Sequence, residues 1–344
     1  MLYHQPLVSV CLPTYNVEKT VENTLRSILA QTYKNMEIIV VDNVSTDNTL
    51  NIIRELKDSR IKTFSNEENL GGEGNWSRCI ELANGDYIAI FHADDLYMPN
   101  IVEKQVRAFQ DNPNIGAVFT LANLINEKDE VFAETSLPVG LSGKRIYYFV
   151  DIFVSILENS NFLMCPSCIV RGKLYKELAP FDEKRFRTSA DLDMWLRILD
   201  MQPITIINEK LMSYRIIKAP RYNYLRTESH DFFTVMDNHL GDKSSVLDIP
   251  QRSLYKYEFL RSLDKLTRAE NHLIKGNLQD AKELVKEAYS KTVFLGALSN
   301  IRQPERFPDW IIGAILLVLV NLGLGRYLGR FLHWFLYTFK RRAF

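Results

Sequence analysis

Short β-rich runs alternate with amphipathic helical stretches through the first 120 residues, and this alternation limits the fold more than any other feature of the chain. LVSVCLP (7–13) is a strand-like run ended by proline, and VEKTVENTLRSILAQT then sets Val21, Leu25, Ile28 and Leu29 on one helical stripe. MEIIVVD (36–42) predicts a second strand, STDNTLNIIRELK a capped helix, and RIKTFS a third strand. NLGGEGNWSRCIELANG reads as a glycine-rich loop entering a helix that Asn84-Gly85 ends. DYIAIFH predicts a fourth strand, MPNIVEKQVRAFQDNP a helix, and IGAVFTLANLI a fifth strand. Such spacing implies βα units. The expected class is therefore α/β, with a mostly parallel sheet and helices on both faces.

Residues 121–215 are less regular. RIYYFVDIFVSILEN reads as a helix, CPSCIVRGKLYKEL as a strand then a helix, SADLDMWLRILDM as a short amphipathic helix, and ITIINEKLMSYRI as a closing strand. From about Ser253 to Leu298 helix formers with interleaved charges predict a helical hairpin broken at Gly276-Asn277. One such pair is no repeat array, so a packing appendage is expected there.

Net charge is zero, which argues against a general nucleic-acid binder, yet the charge is uneven. Residues 301–344 hold seven Lys or Arg (302, 306, 326, 330, 340, 341, 342) and two acids (305, 309), a net of +5 that leaves −5 on the rest. Trp310 to Gly325 is 16 residues without a charge, short of the roughly 20 that a spanning helix needs. RYLGRFLHWFLYTFKRR follows, with Arg326, Arg330, His333 and Lys340 about one or two turns apart and Leu328, Phe331, Leu332 and Phe335 elsewhere on the helix. A basic stripe beside an aromatic side predicts a helix lying in a membrane interface; packing on the domain or a dimer contact is the alternative. The opening MLYHQPLVSV has no basic segment before a long apolar stretch, so no secretory signal is expected. Cys165 and Cys168 are half a zinc spacing with no second Cys/His pair, and the four cysteines are expected to be idle thiols in a reducing cytoplasm.

In open α/β sheets, ligands sit beyond the carboxyl ends of the strands. Here those ends lead into Pro13-Thr14-Tyr15-Asn16, then Asp42-Asn43, then Asn69, Gly71 and Gly72, then His92, Asp94 and Asp95. Asp42 can accept from a base N–H or a ribose hydroxyl, and Tyr15 can stack on a base. Asp94 and Asp95 repel each other with no lysine or arginine near them in sequence, and hard oxygen ligands of this kind suit Mg2+ or Mn2+ bridging a diphosphate. An N-cap for the helix after Met98-Pro99 is the competing role for the doublet. In FDEKRFRTSADLDMW, Asp191 and Asp193 open an amphipathic helix; Asp191 is a candidate general base, with capping, which fits Ser189 better, as its rival.

The ordered motifs VSVCLPTYN, TLRSILAQTYKNMEIIVVDNVSTDNT, NLGGEGN, ANGDYIAIFHADDLYMP and FDE…SADLDMWLR resemble the family 2 glycosyltransferases over residues 6 to about 216. That resemblance implies inverting enzymes of the GT-A fold, in which a Rossmann-like nucleotide-sugar sheet joins an acceptor-binding half. It implies a domain over 1–220, split at 120 into donor and acceptor halves; the residue pattern itself places a helical appendage over 221–300 and basic amphipathic helices over 301–344. By the same resemblance Pro13, Thr14 and Tyr15 line the nucleotide pocket, Glu18 occupies a frequent acidic position, and Asp42 holds base or ribose. Asn69 and Gly71 match the Asn-x-Gly loop, Asp94 and Asp95 the metal and donor acids of the Asp-x-Asp motif, Asp191 the catalytic base, and Tyr214-Arg215 a pair that often closes the domain. Two positions depart from the pattern. His92 stands where many members have aspartate, which predicts an altered metal preference, and Ala190 stands where many have glutamate.

The expected reaction transfers a sugar from a nucleoside-diphosphate donor, most commonly a UDP-sugar, to a hydroxyl of a glycan or lipid-linked acceptor, with Mn2+ or Mg2+ as cofactor. The expected setting is surface polysaccharide synthesis in the cytoplasm, peripheral on the inner face of the plasma membrane. A nucleotidyltransferase is the rival enzyme, although PTYNVE lacks the basic loop that a triphosphate would need. A non-catalytic, membrane-tethered scaffold is the rival from outside enzymology, and it would require broken acidic positions.

Overall fold

The computed structural model describes residues 5–217, 225–243 and 247–288. The expected helices over 301–344 and the end of the hairpin lie outside the described residues. The described residues fall into two compact units, one of 5–155 with 161–217, the other of 156–160 with the described residues beyond 217.

In the first unit β1 (Val8–Thr14), α1 (Val21–Leu29), β2 (Met36–Asp42), α2 (Thr49–Glu55), β3 (Ile61–Ser65), α3 (Gly72–Leu82) and β4 (Tyr87–Ile90) form the expected βα series. Then come β5 (Leu96–Tyr97), α4 (Ile101–Asp111), β6 (Ala117–Ile125) and β7 (Val131–Glu134). After α5 (Phe149–Asn159), which crosses the unit boundary, follow β8 (Ile169–Arg171), α6 (Gly172–Glu177), α7 (Glu183–Phe186), α8 (Ala190–Met201) and β9 (Ile204–Arg215). The strands make one sheet in the order β3-β2-β1-β4-β8-β6-β9-β5, with β7 paired to β6.

Every residue of β2 and β4 is buried, and all but one of β1. Consecutive strand residues point to opposite faces, so a wholly buried strand is covered on both, as parallel sheets require. β3 is the exposed edge. The four strands β3-β2-β1-β4 are all parallel, and their register puts Thr14, Asp42 and Ser65 in one row at the carboxyl edge. Beyond β4 the sheet is mixed. Short β8 runs antiparallel between β4 and β6, while β6 and β9 are parallel and kinked by register shifts at Leu121. A core of Val10, Leu12, Leu25, Ile28, Ile38, Val40, Phe91 and Phe109, among others, binds helices to this sheet.

The second unit holds α9 (Asp231–Lys243), α10 (Gln251–Ile274) and α11 (Leu278–Ala288). Leu266, Ala269 and Leu273 pack on Ala281, Leu284, Val285 and Ala288. Gly276, at φ +86°, makes the left-handed turn between them, where the sequence places the break. Among the described residues no helix is long and apolar enough to cross a membrane.

Candidate active site

A cleft of about 440 Å3 opens at the carboxyl edge of the parallel strands, lined among others by Pro13, Thr14, Tyr15, Asn69, Gly71 and Asp94. Six residues predicted from widely separated strand ends thus share one cavity. Tyr15 is half exposed and presents its ring to solvent. Asp42 is 1% exposed, and its carboxylate accepts from Ser45 N at 2.9 Å and Thr14 Oγ1 at 3.4 Å. Glu18 lies outside the lining residues; its carboxylate accepts from Asn48 N at 3.0 Å, ahead of α2.

One wall is an asparagine network of which the sequence reading named Asn43 and Asn69 but not Asn66 or Asn75. Asn43 Nδ2 donates to Asn69 Oδ1 at 2.8 Å and to Gly71 O at 3.0 Å, while its Oδ1 accepts from Leu70 N and Asn66 Nδ2, both at 2.9 Å. Asn75 accepts from Asn66 and donates to Val41 O, tying α3 to β2. An amide side chain both donates and accepts, which lets one residue satisfy several loop groups. The available signal was a concentration of asparagine at consecutive strand ends. Trp76 is a further lining residue that the sequence reading did not name for the site, while His92, named among the strand ends, lines the cleft as well.

The 92–95 loop is firmly held. Tyr97 Oη accepts from His92 N at 2.8 Å and its ring stacks on Phe91 at 3.8 Å; Thr24 Oγ1 donates to Ala93 O at 3.0 Å and Asp95 O at 2.8 Å. β5 pairs with β9 through Tyr97 and Met212, and this brings Arg215 to the acidic doublet. Arg215 N donates to Asp95 Oδ1 at 2.8 Å and its Nε to Asp94 O at 2.7 Å. The lack of a nearby basic residue, read from the sequence, is a lack along the chain and not in space.

Asp95 is fully buried, and burial first, then the charge of Asp94, pushes its carboxyl well above the usual range, against the Arg215 bond and charge. Its Oδ2 has no hydrogen-bond partner, nor has the buried Nε2 of His92. One ligand atom from each of His92, Asp94 and Asp95 lies within 4.8 Å of the others. An orphaned carboxylate oxygen beside a second acid and an imidazole is a donor set that fits a divalent cation.

Asp191 stands in the first turn of α8, with Oδ1 accepting from Leu192 N at 2.7 Å. Burial, followed by the negative charge of Glu73 and opposed by the Leu192 bond, raises its carboxyl to about 6. Glu73 is itself raised by burial and by Glu183. Asp193 is otherwise engaged, bonded to Arg197 Nε at 2.8 Å. Asp191 is not a lining residue of the cleft; a chain of rings runs from its helix towards the 92–95 loop. Trp195 of α8 meets Phe181 edge-on at 6.5 Å, Phe181 meets Trp76 at 5.3 Å, and Trp76 stacks on His92 at 5.6 Å. The Tyr214 hydroxyl, raised to about 12 mainly by burial, is also raised by the charges of Asp95, Asp94 and Asp191 together.

Comparison with known proteins bears on the family and the fold. The profile of Glycosyl transferase family 2 matches residues 9–178. An uncharacterized glycosyltransferase of Methanocaldococcus jannaschii is 36% identical over 228 residues, 64% of this chain and 74% of that protein. The UDP-Glc:alpha-D-GlcNAc-diphosphoundecaprenol beta-1,3-glucosyltransferase WfaP of Escherichia coli is 38% identical over 194 residues, 56% of this chain and 70% of that protein. Among solved structures, TarS 1–349 of S. aureus in complex with UDP superposes with a TM-score of 0.58 over 92% of this chain and 91% of that one, at 18% identity, a likeness of fold. The chain belongs to glycosyl transferase family 2 and carries its GT-A fold.

Proposed function

We propose that this glycosyltransferase moves a sugar from a UDP-sugar to a hydroxyl of a lipid-linked glycan, with inversion at the anomeric carbon. The observation that carries the reading is the cleft in which four strand ends meet at the carboxyl edge of the parallel sheet, through Thr14, Asn43, Asn69 and Asp94; Asp191, whose carboxyl burial raises to about 6, is the base assigned to it. A general base works best with a pKa near the operating pH, and burial supplies that tuning here. The WfaP glucosyltransferase, by its name, takes UDP-Glc and a diphosphoundecaprenol-linked GlcNAc, which supports a uridine donor and a lipid-linked acceptor for this chain. Surface polysaccharide synthesis on the cytoplasmic side of the membrane follows from such an acceptor.

In the proposed reaction Pro13, Thr14 and Tyr15 hold the nucleotide in the cleft they share with Asn43, Asn69 and Gly71, and Asp42, buried at the same strand edge, is assigned to the base or ribose. Asp191 takes the proton of the acceptor hydroxyl. The freed oxygen attacks C1, the C1–O bond to the diphosphate breaks, and UDP leaves from the opposite face. Mn2+ or Mg2+ held by Asp94 and Asp95 supplies positive charge against the diphosphate when bound. Residues 1–220 are assigned to this chemistry, 221–300 to a helical appendage, and the basic residues 301–344 to peripheral contact with anionic lipid.

UDP release measured across a panel of UDP-, GDP- and dTDP-sugars with an undecaprenyl-diphosphate GlcNAc acceptor tests the reading. Turnover is expected with a UDP-hexose and only with acceptor present. Turnover with a GDP- or dTDP-sugar alone would overturn the donor assignment.

A further inference from the structure

His92 is held as if for a purpose that aromatic packing does not explain. Its ring stacks on Trp76 with centroids 5.6 Å and planes 24° apart, while its backbone N–H is fixed by Tyr97 Oη. A histidine packed only for its apolar area would turn its nitrogens to water or to a protein partner. Here Nε2 is buried without a partner, and so is Asp95 Oδ2, on a side chain that is 0% exposed. Nδ1 stands 3.9 Å from that same Oδ2. A hydrogen bond would satisfy both residues, but the separation is too long for one. An ion held by Nδ1 and Oδ2 fits this separation, since metal–ligand bonds of about 2.1 Å put neighbouring donors roughly 3 Å apart and opposite donors roughly 4 Å apart; the unpartnered Nε2 is not one of these two atoms. The ligand atoms of His92, Asp94 and Asp95 all fall within 4.8 Å of one another.

We propose that the His92 imidazole completes a metal site with Asp94 and Asp95, and that this nitrogen makes the site select Mn2+ over Mg2+. The proposal rests on the reading of the doublet as a metal site and adds the ligand that sets the choice of ion. Mg2+ keeps an all-oxygen shell of near-ideal geometry, whereas binding at a nitrogen donor strengthens along the first-row series that starts at Mn2+.

Pulsed electron paramagnetic resonance on the full chain with Mn2+ and UDP reads the ligand directly. The expected result is 14N modulation from an imidazole, replaced by 15N modulation when only histidine is 15N-labelled. Six histidines are present, so assignment uses His92→Asp, in which the coupling vanishes and the Mn2+/Mg2+ affinity ratio drops at least tenfold. Asp94→Asn, expected to bind Mn2+ at least tenfold more weakly, serves as a second assignment should His92→Asp fail to fold. Mn2+ bound in an Asp94-dependent way with no histidine coupling would overturn the role of His92 and leave the metal reading standing. Histidine coupling that persists in His92→Asp would do the same. Mn2+ binding as tight in Asp94→Asn as in the native chain would overturn both.

Discussion

Adjacent carboxylates can hold different posts when they sit in a turn with different neighbours on either side, as Asp94 and Asp95 do after β4. Asp94 reaches the cleft; Asp95 turns inward to the Arg215 N–H, a partner 120 residues away. The doublet is legible in the sequence as a pair of acids, but its division of labour is not, since it depends on which strand β9 lies beside. Asp191 and Asp193 part for a helical reason, since two residues along α8 turn about 200° around its axis, and Arg197 claims the second. Asp191→Asn is expected to lower transfer 100-fold or more, given that general bases contribute about 10²–10⁴, while UDP affinity by calorimetry stays within about twofold. For the native chain, kcat/KM should climb with pH and level off above about 6, since only the carboxylate accepts the proton. The same shift acts on stability. A carboxyl raised from 3.8 to about 6 binds more protons folded than unfolded between those values, so its contribution falls as pH rises through that window. Neutral asparagine removes the penalty, and after discounting for partial exposure the gain at pH 7 is on the order of 1–2 kcal/mol. A melt at pH 7 should thus show the inactive variant to be the more stable one; equal or lower stability would contradict the burial argument.

At the level of elements, period and punctuation carried most of the information. MEIIVVD is β2 without an end residue out of place, and Gly276 makes the hairpin turn predicted for it. The two-residue β5 and the four-residue β7 were not foreseen, because so few residues show no period and because pairing partners lie far off in sequence, whereas α9 falls inside the helical appendage expected over 221–300. The antiparallel insertion of β8 between β4 and β6 is likewise a tertiary fact, with no local signature. The loops at the strand ends hold two backbone positions of opposite character. Gly71 sits at φ 77°, ψ 179°, a region open in practice to glycine only, and a Cβ there would come within 2.8 Å of a Glu183 carboxylate oxygen. Val44, a β-branched residue, is held at φ 66° beside the Asn43 network. Gly71→Ala should therefore destabilise by about 1–3 kcal/mol and weaken UDP binding, while Val44→Gly should gain up to about 1 kcal/mol by releasing strain, partly offset by a more flexible unfolded chain. Denaturant melts of both variants decide this: losses of equal size would show that φ at residue 44 carries no strain.

The whole chain joins an acidic body to a basic end, and this is where composition speaks directly to behaviour. With seven Lys or Arg against two acids, residues 301–344 carry +5 next to an aromatic-rich run, while the remainder carries −5. Each cation near an anionic bilayer is worth about 1 kcal/mol, and the attraction fades beyond a Debye length of about 8 Å at physiological salt. An enzyme whose acceptor is anchored in lipid gains from being held at that surface, because tethering turns an encounter in solution into a local one. The full chain is therefore expected to sediment with vesicles containing roughly a third anionic lipid, weakly with neutral ones, and to be released by 0.5 M salt, a concentration that cuts the screening length to about 4 Å. Replacing Arg326, Arg330, Lys340, Arg341 and Arg342 with glutamine removes five charges and should abolish this sedimentation, while turnover of a short-chain, water-soluble acceptor analogue continues. Sedimentation that survives both salt and the fivefold substitution would assign the attraction to the aromatic run; sedimentation with neither vesicle type would mean that the basic end meets the protein's own surface or another copy of it.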